Sequence, residues 1–302
     1  MKALRALAIL CLGLLLAGPA RAEPSVTIAA VGDVQLGGGV GKEMVARGFD
    51  YPFARLNAPL RQADLAVCNL ECALSRDGKR IAKRYTFQAD PRAAAGLARA
   101  GFDIAGLANN HGVDCGRDHL AESLTALRQQ HLLPVGAGAT AEEAEAPVIV
   151  VRHGLRIAIL ARSFIPPDRV VPTRDGPTVA MYDPTRLLAQ VRAARRQADI
   201  VIVSLHWGVE YMRHPQDSQR HLAHALIDAG ATLLLGHHTH SPQSVERYRH
   251  GLIAYSLGNF VFDSPPDRSR HGLLLTCTLT RAGVTHYRVT PTHIVRGQAR
   301  EG

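Results

Sequence analysis

The chain has 302 residues, 46% of them hydrophobic and 20% charged, a balance that excludes an intrinsically disordered chain and describes one globular domain with a sizeable core. Its formal net charge is +9, and nothing in it resembles a nucleic-acid module. The charge therefore reads as a solvated basic surface, with only a weak general bias toward polyanions.

The first 22 residues stand apart. Lys2 and Arg5 precede an apolar run from Ala6 to Ala17, and Ala20-Arg21-Ala22 has the small-x-small form of a signal peptidase site. Cleavage after Ala22 is the expectation, with an uncleaved N-terminal anchor as the alternative. Losing Lys2, Arg5 and Arg21 with that segment takes the net charge from +9 to +6. Cys11 follows Leu10, whereas a lipoprotein cysteine follows a small residue, so no lipid anchor is expected. No later apolar run approaches the roughly 20 residues of a spanning helix, and a periplasmic or secreted protein is expected.

From residue 26 onward, strands, loops and helices alternate, the pattern of an α/β layered domain. Val26 to Val31 ends at Gly32-Asp33; Leu65 to Val67 leads into Asn69-Leu70-Glu71; Phe102 to Ala108 leads into Asn109-Asn110-His111. Leu120, Leu124 and Leu127 after Arg117 have helical spacing, as do Leu187, Leu188 and Val191 after Pro184. Arg156 to Ala161 is another strand, and Pro166 to Pro177, with four prolines and no periodicity, reads as a surface excursion. Ile200 to Leu205 leads into His206-Trp207-Gly208, Ala231 to Leu235 into Gly236-His237-His238-Thr239-His240, and Leu252 to Tyr255 into Ser256-Leu257-Gly258-Asn259. Leu273 to Thr280 and Thr285 to Thr290 form a closing hairpin across Arg281-Ala282-Gly283. No internal repeat or linker interrupts a domain spanning 25–297.

Five of these strands finish in a residue that can bind metal or move a proton: Asp33, Glu71, Asn110 with His111, His206, and His238 with His240. Singly, such residues serve turns or the core. Open α/β sheets place ligands outside the carboxyl ends of their strands, so the five ends are expected to converge. Two imidazoles with oxygen donors suit a borderline divalent ion, Zn, Mn, Fe or Co. Thiolate ligation is not indicated, because Cys68, Cys72, Cys115 and Cys277 lack paired spacing. An oxidising compartment permits a disulfide; Cys72 with Cys115, each just after a polar loop motif, is the pairing to weigh against four reduced thiols.

Six ordered motifs carry a family resemblance: Gly32-Asp33-Val34-Gln35-Leu36-Gly37, Asn69-Leu70-Glu71, Ala108-Asn109-Asn110-His111-Gly112-Val113-Asp114-Cys115-Gly116, Ser204-Leu205-His206-Trp207-Gly208-Val209-Glu210-Tyr211, Gly236-His237-His238-Thr239-His240, and Tyr255-Ser256-Leu257-Gly258-Asn259-Phe260-Val261-Phe262-Asp263. Over roughly residues 26 to 265 the sequence resembles the CapA family, linked to capsule and poly-γ-glutamate synthesis, within the calcineurin-like metallophosphoesterase superfamily. The resemblance implies a four-layer αββα sandwich with two mixed sheets and one or two divalent metal ions, Mn, Zn or Fe, at the loop ends. It implies Asp33, Glu71, Asn110, His206, His238 and His240 as metal ligands, His111 as proton donor to the leaving group, and Asp114 as the residue orienting His111.

Two departures from the general phosphoesterase pattern stand out. Gln35 replaces the histidine of Asp-x-His, and Asn69-Leu70-Glu71 replaces the second aspartate in its Asp-Arg setting; both put a full dinuclear site in question. Thr239 stands where the family often has proline. Lys83 and Arg84, beside Tyr85 and Phe87, match a Lys-and-aromatic pattern of the family and either meet a substrate carboxylate or phosphate or form a solvated strand edge. Asn259 borders the site, while His237, Trp207 and Tyr211 are expected to pack around it. The resemblance leads to an exported metal-dependent hydrolase acting on an anionic polymer or phosphorylated envelope substrate, beside membrane-bound polymer synthesis machinery. The alternative is a non-catalytic metal-binding accessory protein of polymer synthesis or export.

Overall fold

The structure is a computed structural model that describes residues 23–263 and 269–302; the expected signal segment 1–22 lies outside the described residues. Two mixed sheets face each other. The first runs, edge to edge, Gln298–Glu301, Gly283–Val295, His271–Thr280, Val26–Val34, Leu65–Leu70, Ile104–Gly106 and Leu133–Val135, with Asn259–Val261 joining the end of Val26–Val34 in parallel. The second runs Val245–Tyr248, Gly251–Ala254, Leu233–His237, Ile200–His206, Leu155–Ser163 and Val148–Arg152. Inner strands such as Ile200–His206 pair in parallel on both sides and are buried throughout, which is why Ile200 to Leu205 reads as a nearly unbroken apolar run.

Strand periodicity sorts the apolar side chains into three cores. Ile28, Ala30 and Val67 of the first sheet meet Ile157, Ile159, Ile202 and Leu235 of the second. On the outer face of the first sheet, Ala29, Val31 and Cys68 pack under the helices Gly38–Arg47, Ala93–Ala100 and Arg117–Gln129, the last contributing Leu120, Leu124 and Leu127. On the outer face of the second, Leu160, Val201 and Leu234 pack under Pro184–Arg195 and Asp217–Asp228. Helix Pro184–Arg195 starts where its sequence directs: Asp183 accepts from the backbone N–H of Thr185 and Arg186, and Pro184 occupies a position that needs no donor. The result is the four-layer αββα sandwich.

Two local expectations change, and the cysteines take one of their two alternatives. Within the proline-rich 166–177 stretch, Asp175–Val179 opens a strand that pairs antiparallel with Ala137–Thr140. The closing hairpin is longer than its apolar pattern, His271–Thr280 with Gly283–Val295, and a second, local hairpin across Arg296-Gly297 adds Gln298–Glu301 at its edge. Cys72 and Cys115 form no disulfide; both are buried free thiols. Burial pushes the Cys72 thiol up to about 12 and that of Cys115 up to about 11, the behaviour of inert apolar side chains. Cys277 fills the core between the sheets.

Candidate metal centre

Strand register assembles the first half of the site. Asp33 sits abreast of Asn69 on one neighbouring strand and Asn259 on another, so three parallel strand ends deliver three polar side chains side by side. In the facing sheet His206 is in register with His237. The chain then turns sharply: His238 and His240 have φ of 86° and 52°, left-handed values that cost non-glycine residues on the order of 1 kcal/mol each. Gly236, just before the turn, permits a close approach, since a Cβ there would lie 1.9 Å from the carbonyl oxygen of Tyr255.

Around Glu71 the arrangement closes. Both Asp33 and Glu71 are 0% exposed. Glu71 Oε1 lies 3.9 Å from His111 Nε2, 3.9 Å from His206 Nε2 and 3.8 Å from His240 Nε2, yet has no hydrogen-bond partner. One ligand atom each from Asp33, Glu71 and His206 lie within 4.8 Å of one another. His206 Nε2 is 2.8 Å from Asn110 Oδ1, and His240 Nδ1 is 3.0 Å from Asn259 Oδ1 and 3.4 Å from Asp33 Oδ2. His238 donates its backbone N–H to Asp33 Oδ2 at 3.3 Å, while its Nδ1 is buried without a partner. Donor atoms just short of 4 Å apart, with one carboxylate oxygen orphaned, lie a few tenths of an ångström beyond the roughly 3.3–3.6 Å between tetrahedral ligands whose bonds are about 2.0–2.2 Å. The mixture of carboxylate, imidazole and amide oxygen fits a borderline divalent ion, so the residues present fit the group.

The electrostatics point the same way. Burial works against ionising Asp33, but the His237 and His240 rings outweigh it and hold the carboxyl well below the usual range. For Glu71 burial dominates, with Asp33 and, more weakly, Glu210 adding repulsion, and the carboxyl sits well above its usual range. His238 is pushed down to about 4 by burial and by His240, and burial with His238 takes His206 well down. His240 goes the other way: burial opposes its charge, yet Glu71, Asp33 and Asn259 carry it up to about 10. The two carboxyls are thus moved apart: against burial the histidine rings take Asp33 down, while burial and the close approach of a like charge take Glu71 up.

Beside this cluster lies a proton-handling dyad. Asp114 Oδ2 is 2.7 Å from His111 Nδ1 and accepts from the backbone N–H of Phe87, whose ring lies 4.2 Å from the imidazole, centroid to centroid. Lys83, expected at the substrate, is instead buried, with 4% of its side chain exposed; it pairs with Asp114 Oδ1 at 2.5 Å and donates to the Asn110 carbonyl at 3.0 Å. Arg84 remains exposed, stacked over Tyr85. Gln35 points away from the carboxylates, its Oε1 accepting from the backbone N–H of Asp263.

Sequence reasoning passed over Asn69 and Asn109. Asn69 Nδ2 donates to Asp33 Oδ1 at 2.8 Å and lies 3.4 Å from both Glu71 Oε2 and His206 Nδ1; its Oδ1 accepts from Asn109, whose own Oδ1 takes the His111 backbone N–H. The available signal was an asparagine two residues before Glu71 and another directly before Asn110. His237, expected as packing, sits with Nδ1 3.4 Å from Asp33 Oδ1. A cleft of about 260 Å³ opens over the cluster, lined by His111, His240 and Asn259, by Tyr85, Phe87, Tyr211 and Phe262, and by Ser269 and the acids Glu210 and Asp263.

Among solved structures, the fold is similar to a hypothetical protein from Thermus thermophilus, with a TM-score of 0.55 and 17% identity over 89% of this chain and 100% of that one. It is also similar to the NAD nucleotidase of Haemophilus influenzae, with a TM-score of 0.52 and 12% identity over 92% of this chain; that match takes in 53% of the nucleotidase. The fold is of the metallophosphoesterase type. In sequence the chain is 33% identical to the capsule biosynthesis protein CapA of Bacillus anthracis over 92% of its length and 69% of the relative's. It is likewise 33% identical to the PGA biosynthesis protein CapA of Bacillus subtilis strain 168, over 87% of this chain and 70% of that one. Residues 27–264 match the family model for the bacterial capsule synthesis protein PGA_cap, and the chain belongs to that family.

Proposed function

We propose that this chain is an exported, metal-dependent hydrolase of the phosphoesterase type that works in the synthesis of an anionic envelope polymer of the capsule or poly-γ-glutamate kind. The polymer follows the named relatives, and export follows the first 22 residues. The observation that carries the chemistry is Glu71 Oε1, buried, unpartnered and ringed by the Nε2 atoms of His111, His206 and His240. Asp33, Glu71, Asn110, His206, His238 and His240 would hold one divalent ion, Mn, Zn or Fe. Gln35, turned away toward Asp263, argues against a complete second position.

When bound, such an ion polarises an attacked oxygen and lowers the pKa of water. The chain's own residues do the rest. Asp114 fixes His111 through Nδ1, which leaves Nε2 as the atom that gives a proton to the leaving oxygen, a role worth roughly 10²–10⁴-fold. Lys83 offsets the buried charge of Asp114 and ties the 76–87 segment to the dyad. Phe87 lies tilted by 34° against the imidazole, 4.2 Å from it centroid to centroid, and shields that side of the ring from water.

The test uses purified protein loaded with Mn, Zn or Fe against phosphomonoester and phosphodiester reporters and against poly-γ-glutamate, beside His111→Ala. We expect His111→Ala to keep its metal and lose at least 10²-fold in turnover. Equal turnover removes His111 from the mechanism. Bound metal with no turnover on any of these substrates supports the accessory-protein reading instead.

A further inference from the structure

The Glu210-Tyr211 end of the fourth motif has no part in the chemistry proposed so far, and its placement is unusual. In a chain with a net charge of +9, the wall of the cleft carries two acids, Asp263 and Glu210; Glu210 is exposed there, and among the described residues it has no hydrogen bond or ion pair. It does not belong to the group of ligand atoms that converge on Asp33, Glu71 and His206. The segment bearing it is held in a costly conformation. Tyr211 has φ of 65°, and its backbone N–H donates to the Thr239 carbonyl at 2.7 Å, which ties the segment to the histidine turn. A left-handed tyrosine fixed over a candidate site is a reason to ask what it positions.

Two further observations narrow the ligand. At about 260 Å³ the cleft is smaller than the roughly 300 Å³ at which drug-sized pockets begin, a size that suits one small unit such as a terminal group. Its upper walls are aromatic, Tyr85, Phe87, Tyr211 and Phe262, and aromatic faces attract cations. A purely anionic ligand entering here meets the repulsion of Glu210, which already acts on Glu71. A ligand that is anionic at one end and cationic at the other meets none.

We propose that the cleft selects a zwitterionic terminal group, with its carboxylate or phosphate at the His111–His240 end and its primary ammonium against Glu210 and the ring of Tyr211. This rests on the cation-site reading above and names the substrate class for it. An ammonium–carboxylate contact at a partly open position makes the zwitterion about five- to tenfold tighter than an isostere lacking the amine.

The experiment is calorimetric titration of the full manganese-loaded protein with two probe pairs, phosphoethanolamine against ethyl phosphate and glutamate against glutarate. The pair that shows the preference identifies the anionic half. Wild type is expected to favour the amine-bearing member about five- to tenfold, Glu210→Gln to bring the pair within about twofold, and Glu210→Lys to reverse the order, with metal content unchanged in both variants. Equal binding by wild type, no binding of any probe, a preference that survives Glu210→Gln, or metal lost from Glu210→Gln each overturns the proposal. Failure of the cation-site reading is seen separately, as wild-type protein that takes up no metal. The same pairs are then titrated on that protein, where a Glu210-dependent preference keeps the ammonium site and equal binding ends it.

Discussion

Replacing Glu71 by Gln separates a cation-binding carboxylate from an ordinary buried ion pair. Glu71 is 0% exposed; among the described residues its Oε1 has no hydrogen-bond partner, and its Oε2 has a 3.4 Å contact from Asn69. An unsatisfied buried acceptor costs about 1–3 kcal/mol, so the cation-free protein gains little from this side chain. Glutamine keeps the shape without the charge, and the cation-free stability of Glu71→Gln is expected within about 1 kcal/mol of wild type or above it, a change of about 2 °C in Tm at this chain length. The cation response differs. At 100 times its Kd a bound ion adds about 2.7 kcal/mol, or about 5 °C, to wild type. With a carboxylate ligand gone, that shift should fall below about 2 °C. Differential scanning calorimetry of chelator-treated protein, before and after adding Mn or Zn, reads both quantities. If Glu71→Gln keeps the full shift, or loses about 3–5 kcal/mol without cation as the broken half of a satisfied buried pair does, the reasoning is wrong.

Lys83→Ala leaves Asp114 buried without its cation and is expected to cost about 3 kcal/mol in urea unfolding, whereas a lysine that met only substrate would leave stability unchanged. Gly236→Ala drives a Cβ to within 1.9 Å of the Tyr255 carbonyl and 2.7 Å of Trp207 Nε1; it should destabilise by about 2 kcal/mol or more and weaken cation uptake, read by calorimetry and elemental analysis. Cys68, Cys72, Cys115 and Cys277 should resist alkylation in the folded protein and all react after unfolding without reductant, as mass spectrometry would record; a Cys72–Cys115 disulfide would withhold two of them.

Much of this protein was written locally. Apolar runs of three to six residues leading into Asp33, Glu71, His206 or His238 marked the inner strands, because a strand buried on both faces must be apolar along its length. Helix starts such as Asp183-Pro184 were equally explicit. Edge strands were not. Leu133–Val135 is three residues long with a proline in the middle, and Val245–Tyr248 has no fully buried residue, so neither carries the periodicity that betrays a strand.

At the site, residue types came from the chain and roles from the fold. A strand can specify that it ends in a carboxylate, but only the stacking of two sheets decides that Glu71 Oε1 faces three imidazoles from separate segments. Lys83 looked like a substrate contact because a basic residue beside aromatics is exposed by default; burial beside Asp114, 31 positions along the chain, made it an internal counter-ion. Gln35 and Cys72 turned the same way on long-range packing, one toward the Asp263 backbone and the other into the core beneath the helices. Periodicity and turn chemistry act over a few residues, and sequence alone reaches that far. Desolvation and charge pairing act across the interior, where only tertiary structure assigns partners.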